Sequence, residues 1–203
     1  DEAFTRLPLR FNLAPGQTAG VLIKPEDDIQ LSNLQWGLLP FWAKELGLAH
    51  HTINARIETV NEKPSFRAAF KTRHAVIPMS GYYEWQTTPE GKQPYYFQPE
   101  KHAATLWVAG LWEPRHALQT DASAGSFTLI TQEAEGLPAT IHNRMPVFME
   151  AHDVQEWLSL KPGPSLPFLL TRSLPALKVH AVSKRVNNGR EDDAGLIESV
   201  ALA

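Results

Sequence analysis

Cysteine does not occur in these 203 residues. Its absence removes disulfides, thiolate–metal sites and any cysteine nucleophile from the chain as given. No apolar run approaches the roughly 18 residues of a membrane-spanning helix, so no membrane partner is expected. No signal-peptide pattern opens the chain, and a cytoplasmic setting is the simplest expectation. Neither Gly-x-Gly-x-x-Gly nor a Walker loop occurs, which argues against nucleotide-cofactor chemistry and leaves no cofactor expected. Histidine is present eight times, but without the His-Glu-x-x-His spacing. The adjacent His50 and His51 point apart on a strand, so no metal is expected. Nor is there an excess of charge. A formal net charge of -3 argues against nucleic acid coating the whole surface, while a local basic cleft stays open.

What is present is punctuation. Sixteen prolines against twelve glycines suit many strand ends and stiff loops rather than long helices. No repeat, low-complexity tract or linker appears, and the length fits a single domain. Propensity and turn signals predict strands at 18–24, 30–37, 52–59, 74–78, 81–86, 95–98, 106–111, 126–131 and 168–171. "YYEWQ" and "KQPYYF", on either side of Pro89-Glu90-Gly91, read as an aromatic hairpin. Short helices are expected at 63–70, 134–140 and 152–160. Strands with inserted helices and no βαβ alternation predict an α+β, β-rich domain around a curved antiparallel sheet or barrel-like core.

Some polar residues ask for a reason. In "TINARIETV", 52–60, period-two geometry sends Asn54, Arg56 and Glu58 from one strand face. That face is either solvated or the wall of a cleft in which a guanidinium grips an anion. In "SGYYEWQ" the alternation separates Tyr83 and Trp85 from Tyr82, Glu84 and Gln86. A carboxyl beside apolar rings should hold its proton more tightly and act as a proton carrier, unless an arginine claims it as a structural partner. In "TIHNRMP" His142 could shuttle protons near neutrality, or serve the loop alone. Asn54, Glu84 and His142 together make an orienting amide and two proton-transfer groups. In "LQWGLLPFWAKE", Trp36, Phe41 and Trp42 either staple a loop or form a surface on which bases stack. With Arg10, Arg56, Arg67 and Arg144 available for phosphates, single-stranded nucleic acid is a sensible ligand.

These pieces fall in one order: "RFNLAPGQ" (10–17), "WGLLPFW" (36–42), "INARIET" (53–59), "SGYYEW" (80–85), "KQPYYF" (92–97), "WVAGLW" (107–112), "IHNRMP" (141–146) and "HAVSKRVNN" (180–188). In that order they resemble the SOS response-associated peptidase family, whose members process abasic sites in DNA. The resemblance implies a cleft for single-stranded DNA containing abasic sites, in a bacterial, nucleoid-associated, monomeric protein. It also implies a nucleophilic cysteine that becomes amino-terminal once the initiator methionine leaves, and that closes a thiazolidine on the abasic aldehyde. By motif, Asn54 looks like the positioning amide, Glu84 like the acid/base for imine formation, and His142 like the aid to sugar ring opening. Arg56 would hold a phosphate; Arg10, Asn12, Trp36, Pro40, Phe41, Trp42, Arg67 and Arg144 complete the expected DNA-binding set. The family begins Met-Cys-Gly-Arg, which this sequence does not show, so the 203 residues are expected to bind DNA without crosslinking it. Two other readings accompany the resemblance: a peptidase limited to removing its own initiator methionine, and a non-catalytic single-stranded DNA binder.

Overall fold

The computed structural model describes residues 9–202. Five strands form a barrel-like ring: β1 (Thr18–Ile23), β2 (Gln30–Trp36), β4 (His74–Met79), β7 (Leu106–Pro114) and β8 (Gly125–Glu133). Antiparallel pairings run β2–β1–β4–β7–β8, and a parallel β2–β8 contact closes the circuit. At the closure Trp36 stands in register with Phe127, and the two rings stack 6.3 Å apart. Alternation along the strands explains the ring. Val21, Ile23, Leu34, Ala75, Ile77, Val108 and Phe127 share one buried cluster, whereas Val76, Ala109 and Leu111 pack into another. Both faces of β4 and β7 are thus covered, so these segments read as nearly unbroken apolar runs.

The second cluster is capped by helices α1 (Arg67–Thr72), α2 (Val154–Ser159) and α3 (Ser165–Leu170), through Phe70, Trp157 and Phe168. Trp157 stacks on Phe168 and donates its indole N–H to the Ala75 carbonyl at 2.9 Å. Short strands extend the ring. β3 (Asn54–Arg56) runs parallel to β8, β9 (Arg144–Pro146) runs antiparallel to it, and β10 (Phe148–Met149) pairs with β7.

A separate antiparallel sheet contains β5 (Tyr82–Thr88), β6 (Gly91–Pro99) and β11 (Leu177–Ala181), in the order β11-β6-β5. Tyr82 pairs with Phe97 and stacks on its ring at 4.9 Å. Both side chains join the cluster inside the five-stranded ring, so this face of the small sheet is pressed against it. On the other face Tyr83 and Trp85 pack with Tyr96, Val182, Val186 and Leu196. The approach at the start of β5 is close: a Cβ on Gly81 would lie 2.4 Å from the Phe97 carbonyl oxygen.

Several expectations need correction. Residues 168–171 were expected as a strand; they belong largely to α3, because Phe168 and Leu169 bury in the helix-capped cluster. The 52–59 strand is only Asn54–Arg56, after which the chain turns. The helix expected at 134–140 is a single 3₁₀ turn, Pro138–Thr140. The hairpin stands as expected, with Thr88 opposite Gly91.

Candidate active site

Two sheets contribute to the site, and Glu84 lies on the seam between them. It projects from β5 on the face of Tyr82, and Tyr95 of β6 stands opposite it in register. The side chain keeps only 22% of its exposure. Burial pushes its carboxyl above the ordinary range, against the smaller opposing effects of His142 and the Trp85 backbone N–H. Desolvation dominates, because the charged form loses more water than these two neighbours replace.

His142 arrives from the ring. It follows the Pro138–Thr140 turn, between β8 and β9, and its backbone N–H donates to the Pro138 carbonyl at 3.1 Å. The Nδ1 atom lies 3.4 Å from Glu84 Oε2. It also receives the Arg144 backbone N–H at 3.1 Å. The Arg144 carbonyl oxygen lies 3.2 Å from the same atom, so Nδ1 has a backbone partner whether it donates or accepts. A small approach of Glu84 and His142 would let a proton pass between Oε2 and Nδ1.

The polar face of β3 is attached to the same region. Asn54, Arg56 and Glu58 are all exposed, while Ala55 and Ile57 between them are buried. Arg144, two residues beyond His142, donates to both Glu58 carboxylate oxygens at 2.7 and 3.0 Å and to the Thr131 carbonyl at 2.7 Å. Thr131 is also the β8 residue in register with Arg56. The Arg144 guanidinium thus has acceptors inside the protein, where the sequence suggested a phosphate. Its bond to Glu58 holds that carboxyl below the usual range. Arg56 and Asn54 differ: no side-chain hydrogen bond joins either to another described residue. No hydrogen bond links Asn54 to the Glu84–His142 pair.

The remaining candidates are more dispersed. Asn12 is buried, and its amide nitrogen donates to the carbonyls of Val186, Asn188 and Glu191 at 3.1, 3.2 and 3.1 Å. That nitrogen fastens residue 12 to the segment 186–191, where the sequence suggested a contact with DNA. Arg10 is ion-paired with Asp192, whose carboxylate also accepts the backbone N–H of Asn12 at 3.0 Å. Arg67 lies on α1 and lines a separate hollow with Phe70 and Leu166.

In the aromatic loop, Pro40 is buried, whereas Phe41 and Trp42 are 70% and 44% exposed. Trp36 is not an open platform. Its indole N–H donates to the Ile53 carbonyl at 2.8 Å, which supports the residue before Asn54. Gly37 turns the loop with φ +126°, and a Cβ there would lie 2.6 Å from the Ala49 carbonyl oxygen.

Sequence reasoning gave Gln86 no role of its own. The amide of Gln86 donates to the Thr140 carbonyl at 3.0 Å and accepts the Tyr95 hydroxyl at 3.2 Å. Its position two residues beyond Glu84 was the available signal. The Tyr82 hydroxyl, on the same face, is buried without a hydrogen-bond partner. Among the described residues no group of three or more His, Asp or Glu side chains gathers as a metal site.

Residues 1–189 match the family model described as SOS response associated peptidase. The chain belongs to this family. Among its relatives is the abasic site processing protein YoqW of Bacillus subtilis, 33% identical over 93% of this chain and 85% of the relative. The abasic site processing protein HMCES of Xenopus tropicalis is 29% identical over 95% of this chain and 66% of the relative. A solved protein from Bacteroides thetaiotaomicron shares the fold with a TM-score of 0.73 and 24% identity, covering 92% of this chain and 82% of that one.

Proposed function

We propose that this SOS response associated peptidase-family chain recognises abasic sites in single-stranded DNA, and that Glu84 and His142 carry the proton transfers. The observation behind this reading is the 3.4 Å approach of His142 Nδ1 to Oε2 of the largely buried Glu84. An abasic sugar exposes an aldehyde only when its ring opens. Ring opening moves a proton from the anomeric hydroxyl to the ring oxygen, which a base paired with an acid achieves. An amine then adds to the aldehyde carbon, and loss of water as the imine forms needs a proton donor. A carboxyl whose burial keeps it protonated above the ordinary range suits that step.

The exposed Arg56 guanidinium is placed to grip a phosphate, and Asn54 on the same face to orient the opened sugar. Phe41 and Trp42 offer stacking surface for unpaired bases. Capture becomes covalent when an amino-terminal cysteine supplies both nucleophiles. Its α-amino group, with a pKa of about 8, keeps about a tenth of its population as the nucleophilic free amine at pH 7, far more than a lysine does. The amine forms the imine with loss of water, and the thiol then adds across the C=N bond to close a thiazolidine.

The test uses a chain extended at its amino end by Met-Cys-Gly-Arg, mixed with an abasic oligonucleotide. A denaturation-resistant adduct is expected, formed more slowly by Glu84→Gln. A folded chain with a free terminal cysteine and no adduct sinks the reading. The exposed Arg56, Phe41 and Trp42, which need no nucleophile, fit a second reading, in which the protein binds single strands without bond formation. Equal affinity for intact and abasic strands would select it.

A further inference from the structure

Glu84 lies on β5 of the small sheet and His142 in the connection between β8 and β9, so their spacing depends on whatever fastens the His142 turn to β5. Among the described residues one hydrogen bond joins β5 to residues 134–143, and it comes from Gln86. Gln86 leaves the same face of β5 as Glu84, two residues on, or about 6.8 Å along the strand. Its amide orientation is determined by two neighbours. The Tyr95 hydroxyl donates to the amide oxygen at 3.2 Å, which turns the amide nitrogen to the Thr140 carbonyl at 3.0 Å. Tyr95 itself stands opposite Glu84.

Thr140 ends a stiff turn. Its N–H and its hydroxyl both donate to the Leu137 carbonyl, at 3.1 and 2.8 Å. The Ile141 and His142 N–H groups both donate to the Pro138 carbonyl, at 3.0 and 3.1 Å. A displacement of Thr140 therefore carries the imidazole with it. A neutral amide does this without adding a charge beside the Glu84 carboxyl, which a lysine or arginine at 86 could not do.

We propose that Gln86 is a positioning residue that sets the separation of Glu84 and His142 by holding the Thr140 turn against β5. Its catalytic consequence rests on the function proposed above; its geometric consequence does not. The variant is Gln86→Leu, which keeps the side-chain volume and removes both hydrogen bonds.

The first measurement needs no DNA. Because His142 lowers the Glu84 titration from its desolvated value, His142→Ala should move the Glu84 carboxyl NMR midpoint upward. Gln86→Leu should move it in the same direction, and adding His142→Ala to that variant should move it little further. An unmoved midpoint in Gln86→Leu, with the full His142→Ala effect still present in that background, overturns the proposal.

The second measurement uses the chain extended by Met-Cys-Gly-Arg. Gln86→Leu should slow adduct formation roughly tenfold to a hundredfold, as expected for a misplacement near 1 Å. Affinity for intact single strands should stay within about twofold, since phosphate contacts that dominate binding are untouched. If the parent forms no adduct, the proposed function fails while the NMR measurement still decides the role of Gln86. If the parent reacts and Gln86→Leu reacts equally fast, the positioning role is overturned.

Discussion

Arg144 holds the Glu58 carboxylate through both terminal guanidinium nitrogens, at 2.7 and 3.0 Å, and so ties β9 to the turn after β3. A two-pronged contact of this kind fixes direction as well as distance. It places the His142 segment beside the strand that bears Asn54 and Arg56. It also leaves Arg56 as the cation on that face with no carboxylate hydrogen-bonded to it.

The two arginines should respond differently to DNA. Glu58→Gln frees the Arg144 guanidinium and is expected to tighten single-stranded DNA binding, steepening the slope of log affinity against log salt by about 0.7. Arg56→Ala should weaken binding and flatten the slope by a similar ~0.7, the value for one phosphate contact on a single strand. Fluorescence anisotropy of a labelled oligonucleotide across a salt series checks both. A slope unchanged by Arg56→Ala removes Arg56 from the phosphate ligands.

His74 predicts an acid-side loss of stability. Its ring lies 4.0 Å from Trp157, and Nε2 sits 3.0 Å from the Phe70 carbonyl and 3.1 Å from the Ser165 hydroxyl. Burial lowers its pKa from 6.5 to about 4. The folded state thus favours the neutral ring, so the contribution is complete above the unfolded value of 6.5 and is lost as pH falls to about 4. Urea unfolding should show the parent losing about 3 kcal/mol more than His74→Gln over that interval. Parallel losses in the two proteins would contradict the assignment.

Phe97 couples the small sheet to the ring, being fully buried and stacked on Tyr82. Phe97→Ala is expected to cost about 3–5 kcal/mol, the range for a deleted core aromatic. Because Tyr82 shares a strand face with Glu84, the same variant should bring the Glu84 carboxyl NMR midpoint back toward the ordinary range. A loss of stability with the midpoint unmoved would separate the seam from the site.

Gly37→Ala should be costly despite its small change in volume. The left-handed φ and the contact with the Ala49 carbonyl both oppose a Cβ, and strain of this type costs about 1–3 kcal/mol. Hydrogen exchange of the Leu38 amide, which donates to the Thr52 carbonyl, offers a local reading of the loop. An alanine variant as stable as the parent, with unchanged exchange there, would show that the loop tolerates the side chain.

Local chemistry made much of this legible beforehand. Period-two alternation correctly separated Tyr83 and Trp85 from Tyr82, Glu84 and Gln86, because successive strand residues must leave opposite faces. The same rule separated Asn54 and Arg56 from Ala55, whereas Glu58 lies in the turn beyond the strand, where the alternation no longer applies. The run at 168–171 misled, since three apolar residues and a threonine suit a strand or a buried helix equally and Trp157 decides between them. Arg10, Asn12 and Arg144 could not be apportioned in advance, because their partners Asp192, Val186 and Glu58 stand 182, 174 and 86 residues away.

By itself the amino-acid sequence determined the β-rich class, the aromatic hairpin, the two-faced strands and the family motifs, all of which follow from residue type and short-range geometry. Tertiary structure alone decided that Glu84 lies in a seam, that His142 meets it and that Gln86 holds the turn between them. Those outcomes depend on desolvation and on distances between remote segments, which come into being only when the ring and the small sheet pack together.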